Sequence, residues 1–273
     1  MAVTLKSRRQ IKRLRDAGLL VADTFAMLRE HVRPGITTAE LDAIAEEYIR
    51  SRGGEPVYKG YGGIPATRKQ PGRKPFPATI CASVNDVICH GIPSRKERLR
   101  EGDIISVDIG ALYNGWVGDS CVTYPVGEID EQTRRLLEVT ERCLLLGIGQ
   151  AKVGNRLGDI GAAIQRYAES QGFSVVREYT GHGVGRKLHE EPTVLHYGEP
   201  HTGQKLLAGM VFTIEPMVNL GGPETQLERD GWTVRTADGA LSAQFEHAIA
   251  ITDDGPLVLT LGDRVHSVAE MSQ

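Results

Sequence analysis

The chain has 273 residues, 40% of them hydrophobic and 25% charged, with a formal net charge of −3. A chain of this length buries a substantial core, and nothing in the composition marks disorder. No apolar run approaches the roughly 18 residues of a membrane span, and the opening Met1-to-Arg9 stretch lacks the apolar centre of a secretory leader, so a cytoplasmic protein with no membrane partner is expected.

The near-neutral total conceals an asymmetry, since residues 1–100 carry 19 Lys and Arg against 10 Asp and Glu and the remainder is acidic. Cys81, Cys89, Cys121 and Cys143 form no Cys-x-x-Cys pair, which fits reduced thiols rather than a disulfide framework. Cys89 beside His90 invites a zinc or thiol-protease reading, but no second Cys or His cluster supports it.

In chain order, Ser7-x-x-Gln10 reads as a capping box opening a helix whose apolar face is Ile11, Leu14, Val21, Phe25, Leu28 and Val32. Thr37-x-x-Glu40 opens a second helix, with Leu41, Ile44, Ala45 and Tyr48 on one face and a stop at Gly53-Gly54. Two further helices are predicted at about 131–150 and 157–171, and strands at about 79–89, 103–110, 119–126, 173–178, 210–219, 231–236 and 245–252. Two helices followed by strands, twice, predicts an α+β fold: a curved antiparallel sheet with two pairs of helices on one face. A parallel α/β sheet would need strands alternating with single helices, and these runs do not. The chain also echoes itself. At an offset of 119 Gly35 meets Gly154, Leu41 meets Ile160 and Gly53 meets Gly172; at 107 Gly102 meets Gly209 and Asp108 meets Glu215. Two halves related by a pseudo-twofold axis are expected, each giving acids to a central site.

Five residues carry the chemistry. Asp108 and Glu215 interrupt the strand-like runs Ile104-to-Gly110 and Val211-to-Pro216; Asp119 and Glu246 are expected at strand starts, and His182 stands between Gly181 and Gly183. A carboxylate buried without a partner costs several kcal/mol or more. The sequence offers too few deeply placed cations to pair four inward acids, so a pair of divalent ions sharing carboxylates is the expected answer. Oxygen-rich ligation with one imidazole favours Mn, Fe or Co, with Zn or Ni as further options, over a thiolate-rich structural zinc site.

Here the chain resembles the type I methionine aminopeptidases of the pita-bread fold, from about residue 6 to residue 262. The resemblance rests on Cys89-His90-Gly91-Ile92-Pro93, Val107-Asp108-Ile109-Gly110, Gly118-Asp119-Ser120, Gly181-His182-Gly183-Val184-Gly185, Leu188-His189-Glu190-Glu191-Pro192, Phe212-Thr213-Ile214-Glu215-Pro216, Asp230-Gly231-Trp232-Thr233 and Phe245-Glu246-His247. It implies a dinuclear site in which Asp108 chelates one metal, Asp119 and Glu246 bridge both, and His182 and Glu215 complete the other. It further implies Glu215 as the proton shuttle, His90 near the scissile amide nitrogen, and His189 donating to the oxyanion. Tyr61, Cys81, Leu188 and Trp232 are the expected apolar pocket for a methionine side chain, Leu188 standing where the family usually carries an aromatic. The other five histidines, His31, His196, His201, His247 and His266, are read as turn or surface residues.

The chain departs from the family pattern at Ile64-to-Pro75, a Pro- and Gly-containing insertion read as an exposed loop. Its Arg68, Lys69, Arg73 and Lys74, with Lys6, Arg8, Arg9, Lys12, Arg13 and Arg15 of the first helix region, suggest attraction to the ribosome surface without sequence-specific nucleic-acid binding. The resemblance thus implies a monomeric, single catalytic domain acting on the N-termini of nascent polypeptides. Two other readings stand beside it: a prolidase or aminopeptidase P, which carries a large domain before the catalytic one, and an inactive binding module of the same fold.

Overall fold

In the computed structural model, which describes residues 3–67 and 72–262, the first helix starts where its cap dictates. Helix α1 (Arg8–Arg29) follows Ser7, whose hydroxyl accepts from the Gln10 amide while its own amide donates to the Gln10 side chain. Thr37 and Glu40 close the same reciprocal box on helix α2 (Thr38–Ser51), and the Asp130 side chain caps helix α3 (Glu131–Gln150). Each box satisfies amides that have no intrahelical partner. Helix α4 (Leu157–Ser170) lies 119 positions after α2 at both ends.

The internal echo is structural. Gly35 and Gly154 both take positive φ, 93° and 98°, and so do Gly53 and Gly172, at 78° and 83°. The Gly35 amide donates to Leu99 O and the Gly154 amide to Leu206 O, while the bridges Thr37–Arg98 and Arg156–Lys205 occupy corresponding places.

The main sheet has nine strands, all paired antiparallel. Its central order runs Ile104–Tyr113, Trp116–Pro125, Glu246–Thr252, Val211–Ile214, Gly181–Gly183, Glu190–Val194. Helix α1 packs on the Ile104–Tyr113 and Trp116–Pro125 strands, and α3 on the strands of the second half. Side chains alternate across a strand, so Ala111 and Gly118 pair on the helix side and Gly110 and Asp119 on the other. Helix and sheet approach closely at Gly118, where an added Cβ would lie 2.5 Å from Ala17 O. The core below the sheet is aliphatic, with Leu28, Leu41, Ile49, Ile105, Ile109 and Ile160 among its fully buried members.

Several strand expectations are corrected. The expected 79–89 strand divides into Ile80–Val84 and Val87–Cys89 because Asn85 turns the chain at φ 56°. Asp119 does not start its strand: Asn114-Gly115, both at positive φ, form a two-residue hairpin turn, so pairing begins at Tyr113–Trp116. Pro216 lacks an amide for the ladder, and the 210–219 run breaks into Val211–Ile214 and Met217–Asn219 with Glu215 between them. The 173–178 and 231–236 strands shorten to Ser174–Val175 and Val234–Thr236. The short strands Gly181–Gly183 and Glu190–Val194 carry too little apolar alternation to be read from the sequence.

Candidate metal centre and substrate cavity

The five residues singled out from the sequence come from five successive positions across the sheet. Asp108 lies on Ile104–Tyr113, Asp119 on Trp116–Pro125, Glu246 at the head of Glu246–Thr252, Glu215 directly after Val211–Ile214, and His182 in the centre of Gly181–Gly183. The ladder register sets them on one face, since Asp108 pairs with Cys121, two residues from Asp119, and Cys121 pairs in turn with Glu246. Asp119, His182 and Glu246 offer ligand atoms that all lie within 4.8 Å of one another.

Their electrostatics ask for cations. Asp119, Glu215 and Glu246 are buried, and among the described residues no Lys or Arg forms an ion pair with them or with Asp108. Burial raises Asp108 to about 7, against the pull of its Tyr58 hydrogen bond. Burial also pushes Asp119, Glu215 and Glu246 well above the carboxylate range, and their neighbouring acids add to the effect. His182 is lowered to about 3, chiefly by burial, so its ring is neutral. With Nδ1 3.1 Å from the Gly183 carbonyl, the network assigns the proton to Nδ1. The Nε2 lone pair then faces Asp119 Oδ2 at 3.4 Å and Glu215 Oε1 at 3.7 Å. Lone pair against carboxylate is repulsive unless a proton or a metal ion lies between, and this donor set suits a divalent metal.

Several supporting residues were not singled out from the sequence. The Tyr58 hydroxyl lies 2.5 Å from Asp108 Oδ1 and 2.6 Å from Asp119 Oδ1. One hydroxyl proton satisfies only one of these contacts, so a proton on a carboxyl group serves the other. Thr213 receives the His182 amide and donates to Glu215 Oε1 at 2.7 Å, while the Gln244 amide reaches Glu215 Oε2 at 3.4 Å. His196, expected from the sequence to be a turn or surface residue, is instead fully buried, and its Nε2 accepts the Glu215 amide at 3.0 Å. Periodicity carries no signal for that contact. His247 points to the opposite face and reaches Thr260 Oγ1, as the period of two requires. His31 sits against the Met27 carbonyl and His201 beside Asp159 on the surface; His266 lies outside the described residues.

This face opens into a cavity of about 440 Å³ that also takes in His90, His189, Tyr61, Cys81, Leu188 and Trp232. All six had been expected there. Cys81 is adjacent through its ladder pairing with Asp108, and burial raises its thiol well above the usual range, which excludes a reactive thiolate. All four cysteines are free and buried. Phe76, Tyr58 and Cys89 extend the wall beyond the expected set. His90, at φ 55°, stacks edge-on to Tyr179 and Trp232; burial lowers it to about 4, helped by His189 and Arg73. The His189 ring lies 4.1 Å from that of His182, and its Nδ1 meets the Tyr61 hydroxyl at 2.5 Å. With Tyr61 donating to Nδ1, His189 Nε2–H is free to donate into the cavity.

Comparison with known proteins identifies the family. The model of metallopeptidase family M24 matches residues 12–253. The methionine aminopeptidase 1 of Bacillus subtilis is 49% identical over 258 residues, covering 94% of this chain and 99% of its own. The Escherichia coli K12 methionine aminopeptidase is 43% identical over 262 residues, covering 96% and 95%. The crystal structure of the Rickettsia prowazekii methionine aminopeptidase superposes with a TM-score of 0.89 at 42% identity, covering 95% of this chain and all of that one. The Pyrococcus furiosus prolidase shares the fold alone, with a TM-score of 0.72 at 21% identity, and this chain covers 66% of its length. The full-length matches lie with the aminopeptidases, and the chain belongs to metallopeptidase family M24, among its methionine aminopeptidases.

Proposed function

We propose that this metal-dependent aminopeptidase uses a dinuclear centre to remove the first methionine from peptides and nascent proteins whose second residue is small. The observation that carries the proposal is the placing of three buried acids, the half-buried Asp108 and one neutral imidazole, on or directly beside five neighbouring strands, in a cavity with an apolar wall. Asp108 would chelate one ion, Asp119 and Glu246 would bridge, and His182 with Glu215 would complete the second. The bound ions would supply an acidified water and polarise the carbonyl it attacks.

The chain's own residues supply the rest. Glu215 carries a proton to the leaving nitrogen, its two oxygens steadied by Thr213 and Gln244. His189 donates from Nε2 to the developing oxyanion while Tyr61 holds its tautomer. His90, neutral near pH 7, lies beside the scissile amide. Tyr61, Cys81, Leu188 and Trp232 enclose the first side chain, for which a flexible thioether is well suited. Mn, Fe or Co are the favoured ions, with Zn or Ni as alternatives. The purified protein should release Met from Met-Ala-Ser and Met-Gly-Ser, and should spare Met-Lys-Ser and Gly-Pro peptides. Equal release of Leu and Met from matched peptides would sink the specificity, and activity unaffected by chelation would sink the metal centre.

We further propose a cytoplasmic monomer with one catalytic domain that meets its substrates at the ribosome. Arg8, Arg9, Lys12 and Arg13 are exposed on α1, and Lys74 is exposed in the 64–75 segment. Three other basic residues are committed elsewhere: Lys6 pairs with Glu190, Arg15 donates to the Val258 and Leu259 carbonyls, and Arg73 packs on Trp232. Arg68 and Lys69 lie outside the described residues. Replacing the four α1 cations with serine should weaken co-sedimentation with ribosomes at low salt, and unchanged co-sedimentation would remove this part of the proposal. Among the described residues no helix is long and apolar enough to cross a membrane.

A further inference from the structure

The return arm of the 64–75 insertion places a cation at the cavity. Arg73 is fixed along its whole length. Its backbone forms a two-way bridge with Ile64, each N–H···O being 2.8 Å. Its Nε and Nη2 both donate to the Gly62 carbonyl, at 3.2 and 3.0 Å, and its guanidinium carbon lies 4.0 Å from the centroid of a Trp232 ring. The Trp232 indole N–H in turn donates to the Lys74 carbonyl at 2.9 Å. Two glycines make the room. A Cβ at Gly62, φ 67°, would lie 2.6 Å from the Trp232 ring and 3.2 Å from Arg73 Nη2, and one at Gly231, φ 77°, would lie 3.3 Å from Arg73 Cγ.

A guanidinium has five N–H donors. Two go to Gly62, and the other three find no acceptor among the described residues, nor does any carboxylate come within ion-pairing distance. The same side chain lines the cavity that holds His90, His189 and Asp108. Its charge reaches the reacting region, opposing protonation of His90 and favouring ionisation of Tyr61.

We infer that Arg73 is a specificity-determining residue that favours a carboxylate on the substrate just beyond its small second residue. This rests on the aminopeptidase reading above. With the methionine side chain against the inner face of the Tyr61–Trp232 wall, the rest of the peptide leaves by the mouth, where Tyr61 is exposed and Arg73 half-buried. An extended chain advances about 3.3 Å per residue, so a third side chain leaving the cavity comes within reach of a guanidinium that lines it and stacks on Trp232. The planar fork with three free donors suits an acidic side chain there.

The test compares Met-Ala-Asp-Ser, Met-Ala-Ser-Ser and Met-Ala-Lys-Ser, all C-terminally amidated, with free-acid Met-Ala-Ser and its amide. The wild-type enzyme is expected to prefer Asp over Lys roughly three- to tenfold in kcat/KM, mostly through KM, as a screened pair at a wet mouth allows. Arg73→Gln should bring that ratio close to one, and Arg73→Lys should retain part of it. Ratios are taken within each variant, so a general loss from a shifted Trp232 cancels. Raising the salt concentration should shrink the wild-type ratio, a reading that needs no variant. A preference for free-acid Met-Ala-Ser over its amide without an Asp-over-Lys preference would assign the contact to a terminal carboxylate and overturn the side-chain reading. A wild-type ratio of one, a ratio unchanged in Arg73→Gln, or a salt-independent ratio would each overturn the inference. Failure of the wild-type enzyme to cleave even the Ser peptide would instead overturn the aminopeptidase reading.

Discussion

Removing the hydroxyl of Tyr61 separates two roles that this residue could have. If it acts through His189, Tyr61→Phe deletes the contact to Nδ1 and leaves the ring stack, whose centroids are 5.3 Å apart, in place. A hydrogen bond of this kind contributes about 0.5–1.5 kcal/mol net, or roughly 2- to 12-fold in rate. Tyr61 is 39% exposed, so water replaces part of the lost contact and roughly 2- to 5-fold is expected, in kcat rather than KM. Removal of His189 itself should cost about 10²–10³-fold, as for an oxyanion donor. The decisive assay is a double-mutant cycle on Met-Ala-Ser with metal content measured in each protein. In the His189→Ala background, Tyr61→Phe should have no further effect. Equal factors in both backgrounds would show that Tyr61 touches only the substrate and would refute the tautomer argument.

Asp108→Asn and Glu246→Ala should abolish turnover and reduce bound metal, whereas His189→Ala should keep its metal; parallel loss of metal and activity in His189→Ala would contradict the division of roles. His196→Ala should leave the Glu215 amide without its acceptor and lower both stability and kcat, and an unchanged melting curve would argue against that contact. Gly118→Ala should destabilise by about 1–3 kcal/mol, because its Cβ would be driven against Ala17 O; a wild-type denaturation midpoint would show that α1 shifts freely. Metal removal should be pH-dependent. In the stripped protein Asp108 is raised to about 7 and its neighbours are raised as well, so the folded state binds more protons than the unfolded one. The stability this supplies is present below the unfolded carboxyl pKa near about 4 and is lost as pH rises through about 7. Divalent ions replace those protons, so the melting-temperature gap between loaded and stripped protein should widen from about pH 5.5 to about pH 8. Outside the ligand set His90, His196 and His247 are lowered to about 4, about 3 and about 4, so they stay neutral over this range in both forms and cancel. A gap independent of pH would refute this account.

What the sequence determined by itself is local or periodic. The Ser7–Gln10 and Thr37–Glu40 boxes are built from residues three apart, so their helices begin where the pattern predicts. The 119-residue echo was legible because glycines at positive φ and the helices between them recur at one spacing. The candidate acidic ligands were legible because an acid inside an apolar strand is costly without a partner. The turn at Asn114-Gly115 is legible as an Asn-Gly dipeptide, but where pairing resumes after it, at Trp116 rather than Asp119, is set by the ladder. What only the tertiary structure decided are contacts between distant segments. Tyr61 meets His189 across 128 residues, Tyr58 meets Asp108 across 50, and Trp232 meets Lys74 across 158. Such pairs leave no spacing in the chain, because their separation is set by how the two halves close over the sheet. The insertion shows the same limit from the other side: Arg73 reads as a loop charge in sequence, and only packing on Trp232 turns it toward the cavity.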